Sequence, residues 1–186
     1  MMNSINIKKQ LAIFAKNVEQ KAQSNLKSKN KNSSGSLSKS IKSKLNVSKN
    51  SFELTFPLED YWEFINYGVK GVGGTKADGT KWVLKKVTNN KFSYSLPSKT
   101  KSGGRFLQSL NGWTIKRGIA PRSKDGKFQK RKGMLRAIRK SIIHTGIETT
   151  NFFTDPFEEE YKSLPDKIIK AYGLDLDNFL KLSLKE

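Results

Sequence analysis

The sequence predicts an α+β protein on three observations. Ile7, Leu11, Phe14, Val18, Ala22 and Leu26 recur at intervals of three and four, the repeat of one helical face. Leu45 and Val47, then Phe52, Leu54 and Phe56, alternate about Lys49-Asn50, the repeat of a strand pair with one buried face. Past residue 104 the apolar spacing returns to three and four. Residues 33–71, which hold a short helical run, the strand pair and an aromatic turn of helix, are the centre on which the rest is arranged.

Composition bounds the chemistry. At 186 residues the chain fits one domain and is long enough to bury roughly 70% of its unfolded surface. It has no cysteine and one histidine, His144, which excludes disulfides, Cys-type zinc sites and multi-His metal sites and leaves few routes to nucleophilic catalysis. Thirty-six basic against sixteen acidic residues give a net charge of +20, which favours a polyanionic neighbour without specifying a fold. Apolar runs are short, so no membrane span is predicted, and the start of the chain lacks the apolar core of a signal peptide, so a cytosolic location is expected. Charge is uneven. Residues 1–50 hold eleven Lys and one acid, Glu19, residues 101–150 hold thirteen Lys/Arg against Asp125 and Glu148, and residues 151–186 hold five basic and eight acidic residues.

The first helix should run five to six turns and end near Lys27, because residues 24–36 are too rich in Lys, Ser and Asn to pack. Its stripe suits either a core or a partner groove. Ser34 or Ser36 can cap the next short helix, with Leu37 and Ile41 inward. After the first hairpin Pro57 ends the strand. Glu59, Asp60 and Glu63 suit the start of an aromatic helix (Tyr61, Trp62, Ile65, Tyr67) closed by Gly68. Helix-end charge explains these acids better than acid–base or metal chemistry, since no second ligand cluster completes such a site.

Gly71, Gly73, Gly74 and Gly79 indicate mobile or turned backbone, and the stretch lacks the GxxxxGK[ST] spacing of a phosphate loop. Trp82, Leu84 and Val87, then Phe92, Tyr94 and Leu96, alternate around Asn89-Asn90 and predict a second hairpin, either an arm for a neighbouring subunit or a flap on its own core. Phe106, Leu107, Leu110, Trp113 and Ile115 predict a further helix running into Lys116-Arg117-Gly118 and ending at Pro121. A dense basic run follows, Arg122, Lys124, Lys127, Lys130, Arg131 and Lys132 against Asp125, with Phe128 its only aromatic. A helix over about 128–144 should then hold Leu135, Ile138 and Ile142 inward, turn Arg136, Arg139 and Lys140 elsewhere, place His144 at its end and close at Gly146. A basic helical stripe beside a basic loop fits phosphate contact, and a solvated surface is the plainer alternative. Phe152, Phe153 and Phe157 precede an acidic helical stretch, mildly broken at Pro165, and Leu176, Phe179, Leu180 and Leu184 form a last apolar side that either packs on the core or docks a neighbour.

In order and spacing over about residues 5–157, these segments resemble the phage tail-completion or head–tail joining (neck) proteins. An amphipathic helix leads to Ser34-Gly-Ser-Leu-Ser-Lys-Ser-Ile41, a strand pair, the Tyr61–Gly68 segment and later Gly146, Phe152 and Phe153. Ser34 stands where the family has Thr, Asn66 and Val69 stand near its Glu and Thr, and Asn151 replaces its Pro. The Lys/Asn-rich composition and Trp113-Thr-Ile-Lys-Arg-Gly look like versions from phages of gut bacteria, including crAss-like phages.

The resemblance implies a curved antiparallel sheet with flanking helices over residues 1–157, an inserted hairpin arm at about 69–104 and an acidic helical extension at 158–186. It implies a virion structural protein, present in the host cytoplasm during assembly, that forms a homo-oligomeric ring at the head–tail junction or upper tail barrel. The ring would meet portal or connector and tail proteins and surround the DNA passage, with no catalysis, metal, cofactor or membrane. The residues expected to face DNA or an acidic partner are Lys116, Arg117, Arg122, Lys124, Lys127, Lys130, Arg131, Lys132, Arg136, Arg139 and Lys140. Trp82, Leu84, Phe92, Tyr94, Leu96, Leu176, Phe179 and Leu180 are expected at subunit interfaces. A basic protein that binds nucleic acid on its own is the alternative; an enzyme would want the acids clustered near a basic groove, whereas here they are spread between capping sites and the tail.

Overall fold

The computed structural model describes residues 4–31, 34–48, 51–89, 91–96, 104–123 and 125–183. In chain order the elements are α1 (Ile5–Ser28), α2 (Ser36–Ser40), β1 (Lys44–Val47), β2 (Phe52–Thr55), α3 (Trp62–Tyr67), β3 (Val69–Lys70), α4 (Gly104–Lys116), α5 (Arg131–Thr145), β4 (Gly146–Ile147), α6 (Thr154–Tyr161) and α7 (Leu164–Ser183). Helices mixed with short antiparallel strands make the chain α+β, as the sequence predicts. Among the described residues the strands build two two-stranded sheets, β1 with β2 and β3 with β4, and not a single curved one; Lys70 of β3 also bridges Ser93. Two compact units share the chain, one made of residues 1–59 and 152–186, the other of residues 60–151. The segment expected as an extension beyond residue 157 therefore belongs to the unit that contains the first helix.

In the first unit α1 is the spine. Ile7, Phe14, Ala15, Val18, Ala22 and Leu26 are buried along one face, and full burial of a side chain such as Leu26 is worth about 1.5–3 kcal/mol. Asn6 meets Asp175, Asn17 and Lys21 meet Glu160, and Asn25 meets Phe152, so the C-terminal segment runs antiparallel to α1. Leu37 and Ile41 point inward as expected. Gly35, at φ 79°, takes the N-cap position of α2, and Ser34 only approaches the Ser36 N–H at 3.4 Å, so neither serine caps that helix in the expected way. The first hairpin forms with Leu45 opposite Leu54 and Val47 opposite Phe52. Just past β2, Phe56 lies edge-on to Phe153 and Phe157, at 5.3 and 6.3 Å between ring centres, whereas Val47 on β1 is exposed.

The start of α1 has no cap of its own, since Ser4 makes no side-chain cap bond. Asp175 of α7, 2% exposed, supplies it: Oδ1 accepts from the Asn6 backbone N–H at 3.1 Å and its amide at 2.9 Å, and Oδ2 accepts from the Ile7 N–H at 3.2 Å. A carboxylate is well suited to this place, because it satisfies donors that have no intrahelical partner and sits at the positive end of the helix dipole.

In the second unit the backbone of 68–73 lies directly against that of 143–149. Val69 pairs with Ile147 and Lys70 with Gly146, and the Val72 and Gly73 N–H groups donate to the Ile143 and His144 carbonyls at 3.0 and 2.9 Å. Gly71 and Gly146 are required here. A Cβ on Gly146 would lie 2.5 Å from the Val69 oxygen, and one on Gly71 would collide with the His144 carbonyl. Gly146 also closes α5 at φ 85°, as expected. The carbonyls at the end of α3 are met by the next stretch of chain: Thr150 Oγ1 donates to Ile65 at 2.6 Å, Thr149 Oγ1 to Tyr67 at 2.7 Å, and the Thr150 and Asn151 N–H groups to Asn66.

The second predicted hairpin does not form among the described residues, because its backbone groups are taken by this crossing. Trp82 donates to Gly74, Lys85 to Thr145, and Lys86 accepts from Thr149; on the other side Phe92 accepts from Lys70 and Tyr94 donates to Lys70. The described residues of 82–96 that pair backbone to backbone therefore do so with Lys70, Gly74, Thr145 and Thr149 of the same unit and not with each other. A small turn stands at 75–81 instead, where Thr75 bridges Lys81 and Asp78 accepts from the Thr80 N–H and hydroxyl.

Two outcomes follow. Asp175→Ala should lower stability by about 2 kcal/mol in urea denaturation, whereas Ser4→Ala should change it by no more than a few tenths. Contacts from the Lys21 ammonium and the Asn17 amide hold the Glu160 carboxyl below its ordinary value of 4.5, so its contribution is present above that value and is lost as pH falls through the lowered one. The stability gap between the native protein and Glu160→Gln, measured by denaturation at stepped pH, should accordingly narrow below about pH 4.5.

Candidate polyanion-binding face

The second unit holds 20 Lys/Arg against 5 Asp/Glu, compared with 16 against 11 in the first, so most of the excess charge lies in residues 60–151. Much of it falls on α4, α5 and the loop between them. The two helices pack on one another, with Leu110 and Thr114 buried from α4 and Leu135 and Ile143 from α5. Thr114 replaces Trp113 and Ile115 on the inner face; those two are exposed, and Thr114 closes its own hydroxyl onto the Asn111 carbonyl at 2.9 Å. On α5 the inward set shifts similarly, with Leu135 and Ile143 buried and Ile138 and Ile142 half-buried.

The loop is built, not loose. Gln129 N–H donates to Pro121, Ser123 N–H to Lys127 and Gly126 N–H to Ser123, and Arg122 bridges Phe128. Gly126 has φ 78°, the conformation that an Asp-Gly turn uses. The helix expected from residue 128 therefore starts only at Arg131, because residues 127–129 pair with 121–123. The Arg131 guanidinium donates to the Ile119 carbonyl at 2.9 Å and ties the end of α4 to the start of α5.

Lys116, Arg117, Arg122, Lys127, Lys130, Lys132, Arg136 and Lys140 are exposed, while Arg131 and Arg139 are half-buried. Lys124 lies outside the described residues. Among the described residues no carboxylate pairs with Lys116, Arg122, Lys127, Lys130, Arg131, Lys132, Arg136, Arg139 or Lys140. Helix ends make the same contrast. Asp155 and Asp166 occupy the first turns of α6 and α7, and Asp175 serves α1. At α5 the N-cap is Lys130 and the first turn holds Arg131 and Lys132, with no acid. Cations at the positive end of a helix are unfavourable by themselves and become favourable when an anion lies against them.

The expected interface residues divide. Trp82, Phe92 and Tyr94 are half-buried in the second unit: Trp82 stacks on His144 at 5.1 Å, and Phe92 meets Phe64 at 4.5 Å. His144, in the last turn of α5, also holds the Gly73 carbonyl through Nδ1 at 2.5 Å, a structural role. Leu84 and Leu96 are exposed. On α7 Leu176, Phe179 and Leu180 are exposed together with Ile169 and Tyr172, which widens the expected stripe toward the middle of the helix. What the sequence reading missed is the ordered loop around Phe128, although Asp125-Gly126 between Ser123 and Lys127 is a hairpin-turn signal.

No helix among the described residues is long and apolar enough to cross a membrane, and no group of three or more potential metal ligands occurs among them. No protein-family model, curated protein or solved structure matches the chain.

Replacing Lys127, Lys130 and Lys132 together by Gln should flatten the dependence of log Kobs on log salt for duplex DNA by about 2–3. The same change at Lys8, Lys9 and Lys16 should leave that slope in place; fluorescence anisotropy across a salt series measures both.

Proposed function

We propose that the protein is a non-catalytic assembly subunit whose second unit faces a polyanion, and that it serves in a phage neck, in a ring joining portal or connector to tail around the DNA passage. The observation that carries the reading is the packed pair α4–α5 with its connecting segment, where Lys116, Arg122, Lys127, Lys130, Arg131, Lys132, Arg136, Arg139 and Lys140 pair with no carboxylate among the described residues, and Lys130, Arg131 and Lys132 crowd the start of α5. Such a surface gains by meeting phosphates, through release of their counterions. A stripe of exposed apolar side chains on α7 supports contact with other protein subunits.

The choice of a neck rests on the order of segments that resembles that family. It draws support from the way two of those segments meet, since Thr149–Asn151, next to Phe152, closes the carbonyls of Ile65–Tyr67. The same cationic face also fits a protein that binds nucleic acid alone. The two readings part in the particle. A neck subunit is monomeric or a small oligomer by light scattering when purified and is found by quantitative mass spectrometry in virions at a fixed, multiple copy number. Absence from particles, with tight binding to free DNA, would overturn the neck reading.

A further inference from the structure

Phe128 stands out in the cationic loop because nothing in the fold explains its exposure. It is 70% exposed, at the base of a turn whose backbone is held by three hydrogen bonds and by the bridge between Arg122 and Phe128 itself. One face of its ring is covered: the Arg122 guanidinium carbon lies 4.2 Å from the ring centre, and that guanidinium is itself held by an Nη1–H bond to the Gly126 carbonyl at 3.3 Å. Exposed Lys127 and Lys130 flank it. A surface loop that only needed solubility would not fix an aromatic ring in water, where burial of even part of its area is favourable.

We propose that Phe128 and Arg122 form a stacking platform for a nucleobase that is out of a duplex stack, in a single strand or at a strand end, with Lys127 and Lys130 holding the adjoining phosphates. Aromatic rings bind bases face to face in a sequence-tolerant way, and lysines beside them supply the electrostatic part. The covered face decides between two modes. A wedge driven between base pairs needs both faces of its ring free, whereas a ring already backed by a guanidinium has one face to offer, which suits one unstacked base. The cation behind the ring adds attraction to the arrangement.

The inference rests on the reading that the cationic face of the second unit meets nucleic acid, and the test separates the two. The full chain is titrated by anisotropy against three labelled probes of equal length: oligothymidylate, the same backbone with abasic sites throughout, and a duplex. Native protein should bind oligothymidylate about tenfold more tightly than the abasic strand. Phe128→Ala should remove that tenfold difference while leaving abasic-strand binding unchanged, and Phe128→Tyr should retain it. Lys127→Gln with Lys130→Gln should weaken all three probes together. Equal binding of the thymidine and abasic strands by native protein, with duplex binding intact, overturns the platform alone. Failure to bind any probe overturns the cationic-face reading as well. Phe128 is exposed, so an unchanged melting temperature of Phe128→Ala serves as the check that the fold is kept.

Discussion

The second unit depends on one close approach, the backbone of 68–73 against 143–149 with no side chain between. Gly71 and Gly146 have no space for a Cβ, and that is what lets the two segments bond through Val69, Lys70, Val72 and Gly73. Everything lateral hangs on this pair: residues 82–88 bond to Gly74, Thr145 and Thr149, and residues 92–94 bond to Lys70. The same crossing ends α5 at Gly146 and puts its last turn under Trp82, where His144 stacks. The direction of α5 is thereby fixed at its C-terminal end, and Arg131 fixes it at the other by holding Ile119.

Charge makes the two units physically different. In the first, anions meet the positive ends of helices, and Lys21 lies between Glu159 and Glu160 at 3.1 and 2.7 Å. The exposed Lys21–Glu159 pair contributes little; the buried cap of Asp175 has more weight, because two backbone donors of α1 would otherwise lose their partners. In the second, 20 cations face 5 anions, and crowding them at the start of α5 sets self-repulsion against the fold. A unit so built is relieved by a polyanion, and the relief shrinks as salt screens it.

How much was legible follows from whether a segment's partner is close in sequence or encoded by periodicity. The stripe from Ile7 to Leu26 has a single period and a single solution, so α1 appears with its expected face. The Leu45–Phe56 pair has its turn between its strands, and it too appears in register. Trp82 to Leu96 alternates equally well, yet its partners lie near Lys70 and Thr145, far away in sequence, and alternation carries no record of which edge a strand joins. Gly71 looked like loose backbone because a missing Cβ is the same letter whether it grants freedom or close approach. For the candidate site, the cationic residues were legible as composition, but their ordering around Phe128 and Arg131 depends on backbone bonds that no spacing rule states. Asp175 was invisible for a similar reason: one acid in an amphipathic stretch gives no sign that it caps a helix 169 residues away.

The central claim, that the second unit and not the first presents the polyanion face, is tested most directly by lysine footprinting. The full chain is acylated in low salt with and without excess duplex DNA, and the modification at each lysine is read by mass spectrometry. The account predicts that Lys127, Lys130, Lys132 and Lys140 lose reactivity when DNA is present, while Lys8, Lys16 and Lys44 of the first unit keep theirs. Equal protection across both units, or protection concentrated on the first, would contradict it.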